Sequence, residues 1–167
     1  MRPAVFLDRD GVINVDHGFV GKIEDFVMVE GAAEAISLLN QRGFLVFVVT
    51  NQSGIGHGYY SEADFQQVMR HLDELLAAYG AHIDDVRHCP FHPAAKLPIY
   101  RSDHPWRKPE PGMILDIIDT WDIDIDLSFM IGDAERDLQA ANAAGLKAYL
   151  FRGGNLLHFV ESLVTDR

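Results

Sequence analysis

The chain has 167 residues, with 14 Lys and Arg against 25 Asp and Glu, a formal net charge of −11. That length supports one hydrophobic core without metal or disulfide staples, and the acidic balance argues against a nucleic-acid backbone as partner, because such affinity comes from Lys and Arg neutralising phosphates. No apolar run reaches the ~18 residues of a membrane span, no secretory signal pattern opens the chain, and the one cysteine, Cys89, has no intramolecular disulfide partner, so the expectation is a cytoplasmic protein with neither membrane nor nucleic acid as partner.

Val5-Phe6-Leu7-Asp8 is a short apolar run that ends in charge, and Phe44-Leu45-Val46-Phe47-Val48-Val49-Thr50 is a longer β-branched and aromatic one. Both predict buried strands. Between them Ala35, Ile36, Leu38 and Leu39 fall at helical spacing, which predicts a helix over 31–43 with Gly43 as its C-terminal cap. Ser61-Glu62-Ala63-Asp64 resembles a helix start, and Phe65, Val68, Met69, Leu72, Leu75 and Leu76 continue that helix towards Gly80. Val86-Arg87-His88-Cys89 predicts a weaker strand, and the proline-rich stretch 90–111 predicts a long loop. A helix over 113–121, a strand over 128–131, a helix over 137–144 closed by Gly145 and a last strand over 147–151 complete the reading. Alternating elements of these lengths predict an α/β domain, a mostly parallel sheet with helices on both faces and ligands at the C-terminal strand ends.

Four polar clusters fall at those ends. In Asp8-Arg9-Asp10-Gly11 the two carboxylates lie two residues apart, so extended backbone points them the same way. One is suited to attack an electrophile and the other to carry a proton, with Mg²⁺ relieving their repulsion; a solvated Asx turn is the structural alternative. Thr50-Asn51-Gln52-Ser53-Gly54-Ile55-Gly56 offers a hydroxyl, amides and free N–H groups to phosphate oxygens, or is an ordinary connecting loop. Arg107-Lys108-Pro109 pairs a bidentate cation with a point charge, the alternative being a surface pair. In Gly132-Asp133-Ala134-Glu135-Arg136-Asp137, Asp133 is placed to add a carboxylate to a metal held by Asp8 and Asp137 to orient water or Lys108, although Asp133 as a helix N-cap is the simpler reading.

Taken in order, the clusters resemble the four motifs of the haloacid dehalogenase (HAD) superfamily of phosphohydrolases over nearly the whole chain. The resemblance implies the three-layer, Rossmann-like HAD fold, with Asp8 as the nucleophile that becomes an aspartyl-phosphate and Asp10 as general acid and base. It further implies that Thr50 and Asn51 bind the phosphoryl group, that Lys108 neutralises it, and that Asp133 completes a Mg²⁺ site with Asp8 and the Asp10 carbonyl. Phe6 to Asn14, Asp16 to Val20, Thr50 to Gly54 and Arg107 to Met113 resemble one subgroup, the D,D-heptose 1,7-bisphosphate and histidinol-phosphate phosphatases, with Asp16-His17-Gly18 closer to the heptose enzymes. Asp16, His17, Gly18, Phe19, Thr50, Asn51, Gln52, Ser53, Arg107, Lys108 and Ala134 would then face the substrate. About 20 residues separate the first motif from the helix at 31, so the expectation is a single domain over 1–167 without a cap, acting as a monomer on a small phosphorylated sugar. Histidinol phosphate, a polynucleotide 3′-phosphate and a catalytically silent phosphosugar-binding module are the alternatives.

The chain departs from the subgroup at its zinc loop, which carries Cys-x-His and later Cys-x-Cys. The matching positions read Cys89-Pro90-Phe91 and His104-Pro105-Trp106. Phe and Trp cannot bind zinc, so Zn²⁺ is not expected. A degenerate site from Cys89, His92 and His104, with Asp103, is the alternative to a loop held by prolines and by packing of Phe91 and Trp106. Asp122, Asp124 and Asp126 read as an approach to a strand rather than a Ca²⁺ loop, and His57 as part of a solvated turn.

Overall fold

The computed structural model describes residues 1–165. In chain order the elements are β1 (Ala4–Leu7), α1 (Ala32–Gln41), β2 (Leu45–Asn51), α2 (Ser53–Gly56), α3 (Glu62–Ala77), β3 (Asp85–Cys89), α4 (Gly112–Thr120), β4 (Phe129–Gly132), α5 (Glu135–Ala143), β5 (Lys147–Leu150) and α6 (Leu156–Val164). The five strands form one sheet in the order β3-β2-β1-β4-β5, and every pairing is parallel. Strand β1 is central, with Leu7 beside Val48 of β2 and Ile131 of β4. Leu7 ends β1, so Asp8 lies at the C-terminal edge of the sheet, between two neighbouring strands whose connections run in opposite directions, where open α/β sheets bind ligands.

The period of two along β1 sorts the layers. Val5 and Leu7 join Val46 and Val48 against α1, α3 and α6, whereas Ala4 and Phe6 join Phe47 and Val49 against α4 and α5. Both faces are covered, which is why these strands read as continuous apolar runs. Each fully buried large side chain among them contributes about 1.5–3 kcal/mol.

Local signals explain the helix limits. Ser61 Oγ accepts from Asp64 N at 3.0 Å and Asp64 Oδ2 from Ser61 N at 2.8 Å, closing the start of α3. Gly43, at φ +81°, turns the chain from α1 into β2. Helix α5 begins at Glu135, two residues before the expected start, because Asp137 Oδ2 accepts from the N–H groups of Asp133 and Ala134, both at 3.1 Å. Sequence reading missed α2 and α6; α6 carries Leu156, Val160 and Val164 buried at a spacing of four, with Asn155 Oδ1 accepting from His158 N at 3.2 Å. The stretch after Trp121 forms a 3₁₀ turn, Ile125–Leu127, leading into β4. Among the described residues no helix is long and apolar enough to cross a membrane.

Candidate active site

Asp8 follows β1 directly and is 4% exposed, with its N–H donating to Ile131 O at 3.1 Å. Lys108, 2% exposed, brings its ammonium to Asp8 Oδ1 at 3.0 Å, Asp137 Oδ1 at 2.7 Å and Val49 O at 2.8 Å. It arrives from the long loop because Asn51 grips its backbone: Asn51 Oδ1 accepts from Lys108 N at 3.0 Å and Asn51 Nδ2 donates to Lys108 O at 3.1 Å. The peptide bond that follows, Lys108–Pro109, is cis.

Burial pushes the Asp8 carboxyl well above the ordinary carboxylate range; Lys108 opposes this, and Asp137, Asp10 and Asp133 add repulsion. Burial also raises Asp133. For Lys108 burial acts downward, but Asp8 and Asp137 outweigh it and hold the ammonium above its usual value. Three further carboxyl groups thus crowd Asp8, with Lys108 as the buried cation that offsets them.

The crowding fits a divalent cation. Asp8, Asp133 and Asp137 bring carboxylate oxygens within 4.8 Å of one another. Asp137 is already committed, one oxygen to Lys108 and the other to the start of α5. Asp133 is not the cap of that helix, and its Oδ1 is buried without a hydrogen-bond partner, so Asp8 and Asp133 are the carboxylates free to hold Mg²⁺. Gly11, at φ +88°, lets the chain pass this pair, since a Cβ there would lie 2.0 Å from Asp133 Oδ2. Mg²⁺ is expected to raise the melting temperature, worth about 2.7 kcal/mol at a hundred times its Kd. Protons compete for Asp8 and Asp133, whose folded values are raised, so the shift should grow as pH climbs from the carboxylate range to neutrality. Thermal melts at several pH values, with Asp133→Asn as control, measure it; an equal shift in that variant would remove Asp133 from the site.

Asp8 opens onto a cavity of about 260 Å³ lined by Asp8, Asp10, Asp16, Gly18, Phe19, Asn51, Gln52, Ser53, Gly54, Tyr60, Arg107, Lys108 and Arg136, while Asp133 lines a second cavity that shares Asp16 with it. Most expected substrate-facing residues therefore meet in the first cavity, but three do not line it. His17 is turned away, its Nε2 2.8 Å from Asp25 O. Thr50 is fully buried and its Oγ1 accepts from Gln52 Nε2 at 2.9 Å. Ala134 serves as the N-cap residue of α5. Asn51 lines the cavity as expected of a phosphoryl-binding residue, and its side-chain amide also holds the Lys108 backbone.

Arg9, Tyr60 and Arg136 were not singled out by sequence reasoning. Tyr60 packs against Gly21 and Gly54, where a Cβ would collide with its ring, and its hydroxyl donates to Gln52 Oε1. Burial pushes that phenol above its ordinary value, so it stays a donor. Arg107, half-buried, is drawn below its usual value by burial and by Arg136, while Cys89 and Asp103 act upward. Among the described residues neither Arg107 nor Arg136 has a carboxylate within ion-pair distance.

The zinc-loop candidates do not converge. Phe91 stacks on His104 with ring centroids 4.3 Å apart and planes at 8°. His104 Nδ1 accepts from Trp106 N at 3.0 Å, His92 Nδ1 from Ala94 N at 2.9 Å, and Cys89 Sγ lies 4.0 Å from Phe91 O. An aromatic stack occupies the position where the subgroup has two of its ligands, so these residues do not fit zinc.

A central strand ending in two aspartates, with a buried lysine and a further aspartate brought in from neighbouring loops, defines a hydrolase of the aspartyl-phosphate class. A family model described as HAD-hydrolase-like matches residues 105–158. The D-glycero-beta-D-manno-heptose-1,7-bisphosphate 7-phosphatase of Rhodopseudomonas palustris is 46% identical over 165 residues, covering 99% of this chain and 92% of its own. The Escherichia coli K12 protein of the same name is 44% identical over 144 residues, covering 86% and 75%. The D,D-heptose 1,7-bisphosphate phosphatase of B. bronchiseptica, solved with magnesium and phosphate, superposes with a TM-score of 0.87 at 30% identity, covering 99% of both chains. The chain belongs to the HAD-like phosphohydrolases, in the family of heptose-1,7-bisphosphate 7-phosphatases.

Proposed function

We propose that this protein removes the 7-phosphate of D-glycero-D-manno-heptose 1,7-bisphosphate through an aspartyl-phosphate on Asp8. The observation that carries the reading is the Lys108 ammonium held between Asp8 and Asp137 at the floor of a cavity whose remaining cations, Arg107 and Arg136, are unpaired among the described residues. Asp8 attacks phosphorus in line with the departing sugar oxygen. Lys108 offsets charge beside Asp8, Asp10 gives a proton to the leaving oxygen, and Asp10 then takes one from the water that opens the acyl phosphate. Asp8, Asp133 and the Asp10 carbonyl would hold Mg²⁺, which would supply charge neutralisation for phosphoryl transfer.

Arg107 and Arg136 suit the second phosphate of a bisphosphate, and they disfavour histidinol phosphate, whose amine would meet two guanidiniums. Without a cap domain among the described residues, selectivity comes from the loops that supply Asp16, Gly18, Phe19 and Arg107 to the cavity. The net charge of −11 supports a small-molecule substrate over a polynucleotide. The remaining parts of this reading are a cytoplasmic monomer, without zinc, that serves heptose supply for surface polysaccharide.

Side-by-side kcat/KM for the heptose bisphosphate and histidinol phosphate tests it. A preference of ~100-fold or more for the heptose compound, about 2.7 kcal/mol, is expected with Mg²⁺ and lost with EDTA. Equal rates would overturn the substrate, and binding without phosphate release would indicate a silent module.

A further inference from the structure

Arg9 is fully buried, although arginine is among the side chains least often found there. Its guanidinium carbon lies 5.9 Å from the Phe26 ring centroid and 5.7 Å from that of Phe65. Nε and Nη2 both donate to one oxygen, Asp10 Oδ1, at 3.1 and 2.7 Å, and Nη2 also donates to Val20 O at 2.6 Å. Asn14 Nδ2 adds a third donor to that Oδ1 at 3.0 Å. The other carboxylate oxygen, Oδ2, takes one donor, Gln52 Nε2 at 3.0 Å, and Tyr60 fixes that amide from its far side.

The two oxygens of Asp10 are thus unequal. Oδ1 faces three donors and has no place for a proton, while Oδ2 keeps a lone pair for one. We infer that Arg9 is a positioning residue for the reaction, clamping Oδ1 so that Oδ2 is the oxygen that exchanges the proton. This rests on the reading of Asp10 as the acid and base. The Oδ2 proton passes to the ester oxygen as its bond to phosphorus breaks, and Oδ2 regains a proton from the water that attacks the aspartyl-phosphate. A buried, stacked guanidinium suits that task because its fork is rigid and its contacts with Phe26 and Phe65 hold it in one pose. Misplacing a proton donor by an ångström is enough to cost a large part of its effect.

The test is a double-mutant cycle, with rates expressed per folded enzyme. On the heptose bisphosphate, Arg9→Met is expected to lower kcat about 100-fold with little change in KM. On 4-nitrophenyl phosphate, whose leaving group departs without a proton, the nitrophenolate burst should slow less than about 5-fold. In an Asp10→Asn background the added Arg9→Met should cost less than about 3-fold, since the clamp then has no proton to place. Arg9→Lys, which keeps the charge and loses the fork, should fall between and carries the same cycle where Arg9→Met does not fold. An equal penalty in both backgrounds, or on both esters, overturns the inference, as does failure of both variants to fold. Full activity of Arg9→Met beside an inactive Asp10→Asn overturns the role of Arg9 alone, whereas full activity of Asp10→Asn removes the acid–base reading beneath it.

Discussion

Asp8→Asn is expected to reduce turnover by at least about 10⁴-fold while the protein keeps its cooperative melting transition. An amide has nearly the same shape as the carboxylate but cannot form the acyl phosphate. The fold tolerates the change because burial already works against the charged form of Asp8. The sign follows from linkage: with a folded value raised above the unfolded one, the ionised group costs stability increasingly as pH rises above about 3.9. A neutral side chain escapes that cost. Lys108 loses one partner and retains Asp137 at 2.7 Å and the Val49 carbonyl at 2.8 Å. Phosphate release with Mg²⁺, together with a thermal melt, measures both halves; release at the wild-type rate would remove Asp8 as the nucleophile.

Most of what places that aspartate is legible in the sequence. Apolar runs ending at Asp8, Thr50 and Gly132 mark three adjacent strands, since a strand buried on both faces stays apolar until it nears the edge of the sheet. Long-range identities of partners are what the one-dimensional pattern lacks. Asn51 has the residue type of a phosphate ligand, and it also grips the backbone of Lys108, 57 residues away. Arg9 carries the signature of a solvent-facing residue, and only the convergence of Phe26, Phe65 and Val20 makes its burial possible. Helix α2, Ser53–Gly56, has two glycines in four residues and no helical signal; a Cβ on Gly54 would meet Tyr60, and one on Gly56 would lie 2.5 Å from Pro90 O. Those glycines answer to packing rather than to helix propensity. Helix α6 differs, because Asn155 followed by Leu156, Val160 and Val164 is a readable start and spacing.

Lys108→Met should have the larger effect on stability, a loss of about 3–5 kcal/mol, because it leaves two buried carboxylates facing each other without their cation. Its hydrocarbon stem fills the same channel, so the loss reports charge rather than a void. The pH dependence separates the two causes. The raised folded value of Lys108 means that its contribution is fully present below about 10.4 and disappears only as pH rises through the folded value, so the wild type keeps it across the neutral range. In the variant the downward pull of Lys108 on Asp8 is gone, and Asp8 takes up a proton more readily. The gap between the two proteins should therefore be widest near neutrality and close on acidification towards the carboxylate range. Adding Asp8→Asn to Lys108→Met should recover part of the loss, since Asp137 then stands alone with its second oxygen still bonded to the Asp133 and Ala134 N–H groups. Urea titrations of the four proteins from pH 5 to 8, without Mg²⁺, give the cycle. A pH-independent deficit with no recovery in the double variant would mean that Lys108 acts through packing, and that its ammonium is not what allows Asp8 to be ionised in the core.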